Sequence, residues 1–138
     1  MITDSQSLCR TLLAFAFTLC LLSANAADTS TPPPVKHVDA RSAQKLLSQT
    51  NLVILDIRTP EEFKSFHIAG ATNIDFLGPN FEQRINALDK SKSYLVHCAS
   101  GGRSSQSLKK FQKYDFQSIY HLDGGINAWK NAGLPVEK

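Results

Sequence analysis

The chain has 138 residues, a formal net charge of +3 at pH 7, and 42% hydrophobic residues. That length and composition predict one domain that buries a core of its own and needs neither disulfides nor metal to fold. So mild a charge does not suggest nucleic acid binding, which usually shows a clustered basic stripe, but it is compatible with a small anionic substrate.

The first segment has the features of a secretion signal. Residues 11–22 form an almost wholly apolar run after Arg10, and Ala24-Asn25-Ala26 supplies the small-x-small pattern that signal peptidase cleaves. The run is shorter than the roughly 20 residues that a membrane-spanning helix needs. We therefore predict a signal peptide over residues 1–26, a periplasmic location after export through the inner membrane, and no stable membrane insertion after cleavage. An uncleaved membrane anchor is the alternative.

The rest of the chain divides into a short tether and one domain. Residues 27–35 are rich in Pro, Thr and Ser, which predicts a flexible, extended segment. Residues 36–138 contain no internal repeat and no second change of composition, so they are predicted to form a single domain.

Within this domain, helical and strand-like patterns alternate from Val38 onward. Asp39 and Thr59 are predicted helix N-caps, the latter with Pro60 at the first helical position and Glu62 closing a capping box. The predicted strands are 52–55, 71–76, 93–97 and 119–122, and further helices are predicted over 81–88, 104–114 and 126–131. The alternation predicts an α/β fold, with a mainly parallel sheet flanked by helices on both faces.

Cys98 is the cysteine that remains if the signal is removed, because Cys9 and Cys20 both lie within residues 1–26. It directly follows a predicted strand and opens the loop Cys98-Ala99-Ser100-Gly101-Gly102-Arg103-Ser104. Converging backbone N–H groups and the start of the next helix both favour a thiolate, which is the reactive form of cysteine. We predict a nucleophilic Cys98, with an inert, buried structural cysteine as the alternative.

The length of this loop bears on the kind of chemistry. Four residues separate Cys98 from Arg103. Cysteine-based phosphatases and the related arsenate reductases have five residues there and cradle a tetrahedral oxyanion. The tighter loop is better suited to a sulfur atom attached to the cysteine, so a phosphatase or arsenate reductase is the less favoured interpretation.

Three segments of the chain, 55–74, 98–104 and 122–129, together resemble the single-domain rhodanese family of sulfurtransferases. The resemblance implies that Cys98 takes sulfane sulfur from thiosulfate, holds it as a persulfide, and passes it to cyanide or a thiol. It also implies that Arg103 binds the anionic donor, and that no metal or organic cofactor is needed. Backbone N–H groups of the loop would stabilise the persulfide; the residues concerned are Ala99, Ser100, Gly101, Gly102 and Ser104.

Other polar residues are predicted to support the fold. Asp56 and Arg58 would tie the sheet to neighbouring loops, with Glu62 as a partner of Arg58, and His67 would serve as a hydrogen-bond partner. His97 is predicted to be a core residue, since neighbours along a strand point to opposite faces. His37 and His121 show no ligand spacing in the sequence, so no zinc site is predicted. Lys109, Lys110 and Lys113 either steer an anion or form a solvated helix face.

The runner-up function is a periplasmic carrier or sensor of sulfane sulfur that acts with a protein partner, for which thiosulfate would be an assay substrate only. A catalytically silent binding module is disfavoured by the intact Cys98 and Arg103. The protein is expected to act as a monomer on a small anionic sulfur donor and a nucleophilic acceptor.

Overall fold

The computed structural model describes residues 31–138. The predicted signal peptide and residues 27–30 of the predicted tether lie outside the described residues. Across residues 31–138, every helix falls short of the length and apolarity that crossing a bilayer requires.

One parallel sheet of five strands forms the centre of the domain. Its strands are β1 (Val35–Val38), β2 (Leu52–Asp56), β3 (Thr72–Asn73), β4 (Ser93–His97) and β5 (Ser118–Leu122). They lie in the order β1-β5-β4-β2-β3, and every neighbouring pair is parallel. The predicted α/β class is therefore confirmed. β4, the central strand, is buried along its whole length because helices cover both faces of the sheet.

Residues 31–138 contain five helices, of which the first four connect consecutive strands and the fifth follows β5: α1 (Ala40–Leu46), α2 (Pro60–Ser65), α3 (Phe81–Asn86), α4 (Gly102–Phe111) and α5 (Gly125–Asn131). Alternate residues of β4 face two separate cores. Tyr94 and Val96 pack with α3 and α4, whereas Leu95 packs with α1 and α5. Helices thus cover both faces of the sheet, as predicted, and the side chains between them form the hydrophobic core.

Some predicted boundaries are wrong, for local reasons. α4 begins at Gly102 rather than at residue 104, because Gly101 takes a left-handed conformation (φ 96°) and ends the loop. The predicted strand 71–76 is reduced to Thr72–Asn73. Strand β1 was not predicted: it lies at the sheet edge, and its two central residues, Lys36 and His37, are exposed.

The parallel arrangement gathers the chemically interesting residues at one edge of the sheet. β4 ends at His97 immediately before Cys98, β2 ends at Asp56, and β5 ends just before Asp123. The carboxyl ends of parallel strands meet at the same sheet edge, where α/β proteins commonly place their ligand sites. The loop that contains Cys98 therefore lies among the segments that follow β2 and β5.

Candidate active site

Cys98 sits at the base of a tight loop between β4 and α4. Within residues 31–138 it has no disulfide partner, and only 1% of its surface is exposed. The Gly101 N–H donates to Cys98 Sγ over 3.2 Å, and the Ser104 hydroxyl donates to the same sulfur over 3.4 Å. The loop thus closes on the sulfur with donors from both its backbone and a side chain, an arrangement that stabilises a sulfur anion.

Burial raises the pKa of the Cys98 thiol, but hydrogen bonds to the sulfur outweigh this effect, so the pKa is lowered overall. The strongest of these hydrogen bonds come from the side chain and backbone of Ser104, followed by the backbone N–H groups of Gly101 and Ser100. A lowered pKa increases the fraction of thiolate, the nucleophilic form, at neutral pH.

Arg103, on the first turn of α4, pairs with Glu62 on α2. The guanidinium donates to both carboxylate oxygens, over 2.7 and 2.8 Å. Glu62 also closes the predicted capping box with Thr59, the two reciprocal bonds measuring 3.0 and 3.3 Å. The predicted pairing of Glu62 with Arg58 is therefore wrong: α2 packs so that its capping carboxylate faces α4.

Arg58 pairs with Asp56 instead, and both side chains are buried. The guanidinium binds both Asp56 oxygens and donates a further bond of 2.6 Å to the Phe66 carbonyl. Asn73 donates to the backbone carbonyls of Asp56 and Arg58, at 2.9 and 2.8 Å. The end of β2 is thereby tied to the segment that follows α2 and to β3.

His67 joins α2 to the C-terminal segment. Its Nδ1 lies 3.0 Å from the Phe63 carbonyl, and its ring stacks on the Phe63 ring at a centroid distance of 4.0 Å. Its Nε2 lies 3.4 Å from Glu137 Oε1, and the backbones of His67 and Glu137 exchange two hydrogen bonds. These contacts are structural, and none of them involves the Cys98 loop.

The N-terminus of α5 supports the back of the Cys98 loop. The Ile126 N–H donates to the Cys98 carbonyl over 2.9 Å, and the Asn127 N–H donates to the Ala99 carbonyl over 3.0 Å. Gly125 has a φ of 59°, and a Cβ atom there would lie 2.5 Å from the Cys98 carbonyl oxygen. Sequence reasoning missed this support, for which the pair Gly124-Gly125 was the available signal.

His97 is fully buried, and its nearest polar contacts are with the Cys98 backbone and the Asp56 side chain. Its Nδ1 lies 3.2 Å from the Cys98 carbonyl, and its Nε2, 3.8 Å from Asp56, has no hydrogen-bond partner within the part of the chain that the structure describes. Burial lowers the pKa of His97, against the opposing effect of the Asp56 carboxylate. A neutral, enclosed imidazole fits the predicted core position rather than a general base.

The contact of His121 with the Cys98 loop was not predicted from the sequence. His121 is buried, and its Nε2 lies 2.9 Å from Ser104 Oγ, which also contacts the Cys98 sulfur. Its Nδ1 lies 3.3 Å from His37 Nδ1 and 2.9 Å from Asp123 Oδ1. The sequence shows no ligand spacing between His37 and His121, but the structure places them side by side, because β1 and β5 pair with these residues in register.

The basic residues of α4 differ in their surroundings. Lys110 and Lys113 both pair with Glu82 on α3, whereas Lys109 is exposed to solvent. Two of the three lysines are therefore engaged away from Cys98. Arg103 is the basic residue of α4 that lies next to the Cys98 loop. The Glu62 carboxylate, and to a smaller extent the Cys98 thiolate, raise the already high pKa of its guanidinium.

The fold and the loop correspond to a known family, since residues 39–132 match the rhodanese-like domain. The chain belongs to this family and has the rhodanese fold. A rhodanese-related protein from Thermoplasma volcanium superimposes with a TM-score of 0.66 at 26% identity, covering 74% of this chain and 97% of that one.

Two sequence relatives carry names that bear on function. The chain is 31% identical to the chloroplastic rhodanese-like domain-containing protein 14 of Arabidopsis thaliana, over 75% of this chain and 65% of that protein. It is 29% identical to the thiosulfate sulfurtransferase GlpE of Vibrio cholerae, over 73% of this chain and 93% of that protein. The chain thus spans just under two thirds of the Arabidopsis relative and almost all of the Vibrio relative.

Proposed function

We propose that the protein is a sulfurtransferase that moves sulfane sulfur from thiosulfate, or a similar donor, to cyanide or a thiol through a persulfide on Cys98. The observation that carries the proposal is the pair of donors on Cys98 Sγ, the Gly101 N–H at 3.2 Å and the Ser104 hydroxyl at 3.4 Å. The named activity of the Vibrio relative gives further support.

The first step is a displacement at sulfur. The Cys98 thiolate attacks the outer sulfur of thiosulfate, the S–S bond of the donor breaks, and sulfite leaves with the bonding electron pair. Cys98 then carries a persulfide, whose terminal sulfur bears the negative charge. The loop donors that stabilise the thiolate also suit this anion, and the Arg103 guanidinium offers planar N–H donors to the sulfonate group of the donor.

The second step regenerates the free thiolate of Cys98. A nucleophilic acceptor, cyanide or a thiolate, attacks the terminal sulfur, and the Cys98 thiolate leaves with the electron pair of the S–S bond. No net oxidation occurs, and the residues named here supply the whole reaction without a metal or an organic cofactor. We also propose that the protein acts as a monomer in the periplasm, a location supported by the signal pattern in residues 1–26.

The decisive experiment is the intact mass of the protein after treatment with thiosulfate. A gain of one sulfur, about 32 Da, that is absent from the Cys98→Ser variant and discharged by cyanide would support the covalent step. No gain, while a thiol reagent still titrates Cys98 in the folded protein, would overturn it.

Steady-state assays separate this enzyme from the alternatives. Continuous thiocyanate production from thiosulfate and cyanide is expected of a sulfurtransferase. A stable persulfide without such turnover would instead assign the carrier or sensor role with a protein partner. Cys98-dependent hydrolysis of an aryl phosphate, with no sulfur uptake, would assign a phosphatase.

A further inference from the structure

We infer that His37, His121 and Asp123 form a binding site for a divalent transition metal ion, with Zn²⁺ as the representative ligand. These residues, the His–His–Asp cluster, lie at the carboxyl ends of the adjacent strands β1 and β5. The two imidazoles and the carboxylate each offer one ligand atom, and these three atoms lie within 4.8 Å of one another.

The three atoms form a nearly equilateral triangle. His37 Nδ1 and His121 Nδ1 are 3.3 Å apart, and Asp123 Oδ1 lies 2.8 Å from the first and 2.9 Å from the second. Zn²⁺ binds imidazole nitrogen and carboxylate oxygen at about 2.0–2.2 Å. An ion placed just above the plane of this triangle reaches all three atoms at such distances, after a small outward movement of the half-exposed Asp123 side chain.

The backbone and the core hold the ligands in place before any metal arrives. Cα pairing sets His37 directly opposite His121, and Asp123, the first residue after β5, places its Oδ1 2.9 Å from His121 Nδ1. His121 is buried, and its Nε2 is held by Ser104 Oγ at 2.9 Å. Metal-binding histidines typically have such an outer partner, which fixes the ring and leaves the other nitrogen for the ion.

The cluster is also accessible, and its chemistry is selective. The side chains of His37 and Asp123 are 56% and 53% exposed, so an ion can enter from solvent and a water molecule can complete its coordination. Two imidazole nitrogens with one carboxylate favour Zn²⁺, Cu²⁺ or Ni²⁺ over Mg²⁺ and Ca²⁺, which prefer oxygen ligands. The competing interpretation is that the three residues bind no metal and only form hydrogen bonds with one another, the Asp123 carboxylate accepting from both imidazole rings.

Isothermal titration calorimetry with Zn²⁺ tests the site. The protein carries no histidine tag and has the Cys98→Ser substitution throughout, because the Cys98 thiolate is itself a Zn²⁺ ligand. One Zn²⁺ per chain is expected, with affinity at least about tenfold weaker in His37→Ala and in Asp123→Asn, since even outer-shell changes cost about 10- to 100-fold. Mg²⁺ should give no binding.

Glu137→Gln is the matched control. Glu137 is a carboxylate as exposed as Asp123, and its Oε1 lies 3.4 Å from His67 Nε2. It differs from Asp123 in having one imidazole beside it rather than two. The Glu137→Gln variant should bind Zn²⁺ as the parent does. Visible absorption of bound Co²⁺ gives a second readout, and bands that the two cluster variants lose would support the site. The inference would be overturned if the parent, the His37→Ala and Asp123→Asn variants and the Glu137→Gln control all bound Zn²⁺ with equal affinity and showed the same thermal unfolding. The three residues would then form only a hydrogen-bonded cluster.

Discussion

Arg103 and Glu62 form a two-point ion pair that joins α4 to α2, with N···O distances of 2.7 and 2.8 Å. One oxygen of the same carboxylate accepts from the Thr59 N–H over 3.0 Å. The carboxylate that closes the capping box of α2 therefore also fixes the orientation of the guanidinium beside the Cys98 loop. A guanidinium has five N–H donors, so it retains donors for an anionic substrate while it is held by Glu62.

Arg103→Gln is expected to lower kcat/KM for thiosulfate by about 10- to 100-fold, because a hydrogen bond to a charged group contributes about 1.5–3 kcal/mol. The measurement is initial rate against thiosulfate concentration. Lys109→Gln removes the same charge from an exposed position on the same helix and should change the rate less than about twofold. Equal losses in the two variants would show that net charge, rather than position, matters.

Glu62→Gln is expected to reduce stability in a pH-dependent way. Hydrogen bonding to Arg103, opposed by burial, lowers the pKa of Glu62 from 4.5 to about 2. The ion pair therefore contributes fully above pH 4.5, and its contribution is lost as the pH falls toward 2. The difference in unfolding free energy between native and variant proteins should be largest near neutral pH, yet no more than about 1 kcal/mol, because solvent screens a partly exposed pair.

Chemical denaturation between neutral pH and pH 3 measures this difference. Glu61→Gln, an exposed carboxylate on the same helical turn, is the control for charge near the helix N-terminus. A difference that grew as the pH fell would contradict the assigned role of the Glu62 carboxylate.

Local patterns were sufficient to predict most of the fold and the Cys98 loop. The segments 52–55 and 93–97 were predicted as strands from local patterns, and both lie in the sheet, as β2 (Leu52–Asp56) and β4 (Ser93–His97). The capping box of Thr59 and Glu62 is likewise set by residues three apart, and it is present as predicted.

Contacts between distant segments were not predictable from local patterns. Two arginines, Arg58 and Arg103, were available to Glu62, and only the packing of α2 against α4 decides between them. His37 and His121 are 84 residues apart and meet because β1 pairs with β5 rather than with its neighbour in the chain. The sheet order carries this information, and one sequence alone does not specify it.

Ser104→Ala is expected to raise the pKa of Cys98, since it removes the side-chain hydrogen bond that most strongly opposes the effect of burial. The thiolate forms above the thiol pKa, so the profile of alkylation rate against pH should move to higher pH and the rate at neutral pH should fall. Iodoacetamide labelling of Cys98 across a pH series measures the profile.

Ser107→Ala is the matched control for that change. Ser107 is also buried on α4, but its hydroxyl donates to the Ser104 carbonyl over 2.7 Å rather than to the sulfur. Its alkylation profile should stay close to that of the native protein. The assigned role of the Ser104 hydroxyl would be wrong if both variants moved the profile equally.

Gly125→Ala tests whether α5 holds the Cys98 loop in shape. The added Cβ would lie 2.5 Å from the Cys98 carbonyl oxygen and 2.6 Å from the Ala99 carbonyl oxygen, and the residue would also have a φ of +59°. We expect a loss of about 2–5 kcal/mol in unfolding free energy, from left-handed strain plus overpacking, and a fall in the rate of persulfide formation as the loop moves.

Gly133→Ala separates strain from the contact with the loop. Gly133 has a similar φ of +73°, but a Cβ there would meet no atom within 4 Å. This variant should lose about 1–2 kcal/mol and keep the native rate of sulfur uptake by Cys98. Thermal unfolding and the thiosulfate mass assay on both variants decide the point. If sulfur uptake fell equally in the two, α5 would not be acting through the backbone of the Cys98 loop.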